Sequence, residues 1–132
     1  MLLEALLAIL VFSIGILALA GLEANALKQV SNGKYRTDAS LLANQLAGEM
    51  WIGNRSGPTL ISNFSSNPPG AAYATWKEQV IRALPGASEH PPIVTIVDAG
   101  GSRQATINVR WKIPGEASTE PVHSYLLIAQ IN

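Results

Sequence analysis

Hydrophobic positions change their spacing twice along the chain, and each change marks a different kind of element. From Ala5 to Leu22 no residue is charged; Glu4 leads into this run, and Glu23 and Lys28 close it. A run of that length is at the lower limit for a helix crossing a hydrocarbon core about 30 Å thick. Beyond it, Leu27, Val30, Lys34, Leu41, Leu42, Leu46, Met50 and their neighbours recur at mixed three- and four-residue steps, the period of a one-sided helix. No proline occurs before Pro58. The pattern predicts one helix from about residue 2 to about Ile52, about 75 Å long at the α-helical rise, apolar all round in its first half and amphipathic in its second. Gly53, Asn54 and Gly57-Pro58 are its stop signals.

From Asn54 to Ala71 glycine, proline, serine and asparagine dominate (GNRSGPTLISNFSSNPPG), which predicts a loop pinned to the body by Leu60, Ile61 and Phe64. In AAYATWKEQVIRALPG, Tyr73, Trp76, Val80, Ile81 and Leu84 share one face while Lys77, Glu78 and Arg82 face out. This predicts a short helix ending near Leu84, before Pro85-Gly86.

The last third changes to a period of two. PPIVTIVD, RQATINVRWK and VHSYLLIAQI read as strands; in the middle one Ala105, Ile107, Val109 and Trp111 alternate with Thr106, Asn108, Arg110 and Lys112. The turn between Asp98 and Ser102 carries two glycines able to take the positive φ of a tight hairpin. The expected fold class is therefore α+β: a long N-terminal helix packed on a three-stranded antiparallel sheet open on one side, with one short extra helix. Residues 1–25 form the apolar half of the helix, and 26–132 a head that includes its amphipathic half.

Composition narrows the chemistry. The 132 residues suit one head domain. Nine basic against nine acidic residues give no net charge, hence no field that would draw nucleic acid or anionic lipid. The absence of cysteine excludes disulfides, thiol catalysis and thiolate metal sites. His90 and His123 are the only histidines and have no carboxylates at metal-ligand spacing, so neither enzyme activity nor a cofactor is expected, and His123 reads as a strand histidine at the surface or a pocket edge. Gly100-Gly101 lies in a hairpin, without the Lys-Ser or helix that a phosphate loop requires. Asn54-Arg-Ser56 and Asn63-Phe-Ser65 match the glycosylation triplet, a pattern common by chance in serine-rich loops. Trp51, Trp76 and Trp111 fall on or beside apolar faces, as core or interface anchors do.

Glu4 is the anomaly. An acid at mid-bilayer costs about 3 kcal/mol on insertion scales and less near the interface, so a plain anchor gains nothing from it. A cleaved secretory signal needs basic residues before the apolar run, and none is present although Ala24-Asn25-Ala26 has the form of a cleavage site. A buried core helix would need more surrounding chain than the remaining residues provide. Lys28, Lys34 and Arg36 follow the run, so the positive-inside rule keeps the head cytoplasmic unless basic residues precede Met1.

The stretch MLLEALLAILVFSIGILALAGLEA resembles the start of a type IV pilin, and LLANQLAGEMW further along the helix looks most like the PilV-type pilins. The resemblance covers residues 1 to 52. It implies a basic leader removed by a prepilin peptidase, methylation of the new N-terminus at Met1, an inner-membrane precursor, and later an extracellular pilus acting in adhesion or motility. In that family the acid lies four residues after the processed terminus and Glu4 lies three after Met1, so one residue is expected before Met1.

The resemblance also implies that Glu4 faces the N-terminal ammonium of a neighbouring subunit. Leu3, Leu7 and Phe12 would belong to the apolar filament core, and Gly15 and Gly21 would allow close approach or local unwinding, each costing about 1 kcal/mol in a helix relative to alanine. Many pilins carry a proline near Gly21 and a cysteine pair that staples the C-terminal loop; this chain has neither. Its loop from Ile113 to Pro121 is expected to be held by packing and by Pro114 and Pro121, with Glu116 and Glu120 solvated. Implied partners are other pilin subunits, the prepilin peptidase and the inner-membrane assembly platform, without nucleic acid. A principal pilin, a secretion-system pseudopilin and a membrane-anchored extracytoplasmic binding domain stay open beside the minor-pilin reading.

Overall fold

A computed structural model describes residues 1–132. The elements in chain order are α1 (Leu2–Ile52), α2 (Gly57–Phe64), α3 (Ala71–Ala83), β1 (Ile93–Asp98), β2 (Arg103–Trp111) and β3 (His123–Ile131). This is the expected α+β fold with one helix more than the sequence predicts. Tertiary contacts divide the chain into two units, Met1–Gly33 and Lys34–Asn132.

The first unit is helical from Leu2 and exposed at every position except Ser31, which is partly buried. By length and composition it could cross a membrane, and its most apolar window buries nothing. Its one hydroxyl is satisfied locally, Ser13 Oγ donating to the Ile9 carbonyl at 2.7 Å, so no polar side chain between Ala5 and Leu22 is left needing water.

In the second unit, α1 turns one stripe inward: Ala39, Ala43, Leu46, Ala47 and Met50 are buried, at the four-, seven-, eight- and eleven-residue offsets that line up on a helix. Leu46 and Met50 are where the apolar period places them. Leu41, Val30 and Leu27 are exposed, which corrects the expected face; three alanines take their place, and small side chains let the helix backbone approach its neighbours closely.

The segment Asn54–Ala71 is not only a loop. Pro58 lies in the first turn of α2, where a missing N–H costs nothing and a fixed φ favours the helix, so the residue read as a breaker is a starter. Leu60 and Phe64, one turn apart, are buried; Ile61 stays 38% exposed and is not the expected pin. Asn54 Oδ1 accepts the Ser56 N–H at 3.0 Å, turning the chain between α1 and α2.

Helix α3 follows the sequence closely. Tyr73, Trp76, Val80 and Leu84 are buried and Ile81 half-buried, and the Leu84 N–H closes the helix on the Val80 carbonyl. Trp76 Nε1 donates to the Leu42 carbonyl of α1 at 2.8 Å, and Tyr73 Oη to the Pro92 carbonyl at 2.7 Å just before β1. Burial raises the Tyr73 pKa, with Arg110 opposing in part.

The sheet has order β1-β2-β3, antiparallel throughout, with Ile93 opposite Asn108 and Asn108 opposite Leu126. Gly100 and Gly101 have φ of 68° and 118° in the β1–β2 turn, as the hairpin requires. Val94, Ile96, Ala105, Ile107, Val109, Trp111 and Ile131 face inward and form one core with the α1 stripe, α2 and α3. The opposite face is open to solvent.

Candidate functional site

The residues singled out by sequence lie together in the first unit, and helical geometry sorts them. At about 100° per residue, Glu4, Ala8, Val11, Gly15, Ala18 and Leu22 fall on one line along α1. Leu3, Leu7 and Gly21 fall on the adjoining side, and Phe12 flanks the Glu4 line on the other. Glu4 thus heads a stripe containing three small residues, so that a second helix could approach the carboxylate without meeting a large side chain at every turn. The stripe is found only by counting angles, a signal present in the sequence.

Glu4 has no hydrogen-bonding or ionic partner within the chain. It lies in the first turn, where the exposed N–H groups and the helix dipole favour a negative charge. Leu3 is 71% exposed, Leu7 52% and Phe12 70%. The helix is unbroken at Gly15 and Gly21, and a side chain added at either would meet nothing within 4 Å. Met1 precedes the helix, its carbonyl accepting the Ala5 N–H at 3.2 Å. What this arrangement can do chemically is associate: a continuous apolar surface, one acid at its end, and a small-residue track leading from it.

A second cluster, in the head, has different chemistry. His123 Nε2 contacts both carboxylate oxygens of Glu116, at 2.9 and 3.0 Å, while its ring stacks on Trp111 with centroids 5.8 Å apart and planes 19° apart. Trp111 and His123 are directly cross-strand, so strand register sets the stack. Lys112 Nζ donates to the carbonyls of Ser118 and Glu120, at 3.2 and 3.3 Å. The Ile113–Pro121 loop is therefore tied by an acid–imidazole pair and a lysine, and Glu116 is not merely solvated. The hydrogen bond from His123 is the largest cause lowering the Glu116 pKa; the charges of His123 and Lys112 act in the same direction and partial desolvation opposes them. Glu116 and His123 are seven residues apart; Glu116 follows the turn at Gly115 (φ 84°), and a second turn, closed by the Glu120 N–H on the Ala117 carbonyl at 3.0 Å, lies between the two, so no local spacing announces the pair.

On the helical side of the head, Lys34, Asp38, Leu41, Leu42, Arg82 and Ala83 line an open groove of about 440 Å³. His90 has no part in either cluster, and no three His, Asp or Glu side chains converge as a metal site would need. Compared with protein-family profiles, characterised proteins and solved structures, the chain finds no match.

Proposed function

We propose that the chain is a structural subunit of a type IV pilus, held in the inner membrane by the first half of α1 before assembly and joined to its neighbours through the same surface afterwards. The observation that carries this reading is Glu4: a partnerless acid heading a wholly exposed apolar helix that continues into a packed head. A free anchor gains nothing from that acid, whereas an assembling helix gains a register mark.

The physical basis is a difference between matched and mismatched neighbours. A carboxylate and an ammonium about 4 Å apart attract by about 4 kcal/mol at an effective dielectric constant of 20, before desolvation is subtracted. Either charge left alone among apolar helices is penalised by about 3–5 kcal/mol relative to the pair. The positive partner is the N-terminal ammonium of the next subunit. Ala8, Gly15 and Ala18, on the line of Glu4, let that helix lie close, and Leu3, Leu7 and Phe12 exchange lipid for protein contact. The resemblance of LLANQLAGEMW to PilV-type proteins supports a minor subunit that modulates adhesion.

The deciding measurement is intact-mass analysis of surface filaments sheared from cells. A trace of this chain with a methylated N-terminus is expected; abundance as the main species makes it a principal pilin, and absence with retention in the membrane rejects the filament reading. The other reading with an observation of its own is a membrane-anchored extracytoplasmic binding domain, favoured by the groove between Lys34 and Arg82. It requires a ligand for that groove and assigns Glu4 no role.

A further inference from the structure

The two edges of the sheet are treated differently. Along β1, Ser66 donates its N–H to the Val94 carbonyl at 3.0 Å and accepts the Val94 N–H on its hydroxyl at 3.2 Å, so that edge is capped, and β1 ends in a charged residue, Asp98. Along β3 nothing in the chain hydrogen-bonds to the outer edge between Ser124 and Gln130. The strand contains no lysine, arginine, acid or proline over its nine residues. Natural sheets protect such an edge with charge, proline, a bulge or a covering segment, because an open apolar strand is a template for another strand.

Residue order along β3 identifies the occupant. Outward-facing Ser124, Leu126, Ile128 and Gln130 read polar, apolar, apolar, polar, a sequence unchanged in character when reversed. We propose that β3 pairs antiparallel with β3 of a second copy of this chain, about a two-fold axis through Leu127, joining two sheets into one of six strands.

In this register Leu126 of each copy lies opposite Ile128 of the other, and Ser124 opposite Gln130. On the inner face Tyr125 meets Ala129, large against small, and Leu127 meets itself. Leu126 and Ile128, each 55% exposed, gain apolar neighbours, and half-buried Tyr125, Leu127 and Ala129 are covered further. With no fixed charge in the strand, self-pairing brings no like charges together, which a charged edge could not avoid. A shift by two residues in either direction would set an apolar residue against a polar one on the outer face.

A single strand pair is smaller than the roughly 1,000 Å² of total buried surface that marks a stable interface, so the contact is weak between free molecules and strengthened where heads are held at high local concentration. It does not depend on the filament reading.

Covalent trapping tests the register, and the chain has no cysteine to interfere. The full-length protein in detergent is oxidised mildly as the double variant Ser124→Cys/Gln130→Cys, as each single variant, and as Leu127→Cys. Close and wide pairs alternate along an antiparallel ladder, so either the 124–130 pair or the 127–127 pair is of the close kind. A disulfide-linked dimer is expected from at least one of the two designs, none above background from either 124 or 130 single variant, and loss of the product when Ile128→Lys is added. Failure of both designs to cross-link overturns the proposal. Dimers from the single variants equal to those from the double variant overturn it too, because they signal a contact without this register.

Discussion

The indole N–H of Trp76 lies 2.8 Å from the carbonyl oxygen of Leu42, joining α3 to the middle of the head portion of α1. Trp76 is 1% exposed and Leu42 partly buried, so this bond lies at the edge of the core and replaces water for a donor that must otherwise be stripped of it. Trp76→Phe keeps most of the packing and loses the donor, with an expected cost of about 1–2 kcal/mol. Trp76→Ala adds a cavity and should cost about 3–5 kcal/mol. Equilibrium denaturation of the detergent-solubilised chain measures both; no loss in Trp76→Phe would mean the hydrogen bond contributes nothing beyond the packing of the ring.

Gly57 and Asp98 make a steric prediction. A Cβ on Gly57 would overlap the Asp98 carboxylate, which sits against the start of α2. No side chain caps that helix from Ser56, so the nearby negative charge is what complements its first turn. Gly57→Ala should destabilise the head by about 1–3 kcal/mol by overpacking. In an Asp98→Ala background the added penalty should shrink, since the clashing group is gone; strictly additive losses would argue against the contact.

The loop cluster gives a pH dependence with a fixed sign. The folded Glu116 pKa lies below its unfolded value, chiefly through the His123 hydrogen bond. Its contribution is therefore fully present above the ordinary carboxylate range and is lost as pH falls through the folded value. Amide hydrogen exchange of the Ile113–Pro121 segment should accelerate on acidification, after correction for intrinsic rates. Glu116→Gln should flatten that response, whereas an unchanged profile in the variant would assign the opening to another group.

On the filament proposal, Glu4 separates assembly from anchoring: Glu4→Ala and Glu4→Gln should then both leave the protein in the membrane fraction while removing it from sheared filaments. The glutamine variant matters because it keeps size and polarity and loses only charge. Normal incorporation of Glu4→Gln would reduce Glu4 to an interfacial residue with no ionic role.

Much of the architecture is legible in the chain because periodicity is strong where an element has one buried side. Tyr73, Trp76, Val80 and Leu84 announce α3, and the alternation from Ala105 to Trp111 announces β2 and its inner face. What escapes is decided by neighbours far along the chain. The α1 stripe is built on Ala39, Ala43 and Ala47, whose side chains carry too little hydrophobic signal to compete with Leu41, although their smallness is what close packing needs. Helix α2 hides because Pro58 signals both an ending and a beginning, and the choice is made by the pocket that receives Leu60 and Phe64. Glu4 is visible as a lone charge against an apolar background. The Glu116–His123 pair is invisible, since only the β2–β3 register and the turns at Gly115 and Ala117–Glu120 bring its members together.

That pair and the two Lys112 bonds hold the loop without any covalent bridge, and the kind of fastening changes what the head responds to. It needs no oxidant to mature and ignores reductants, so its integrity is indifferent to the redox poise of whatever compartment it passes through. Acid and ionic strength are its solvents instead: partly exposed charges are screened within a few ångströms at high salt, and the loop can open and reclose many times with no chemical memory of having done so.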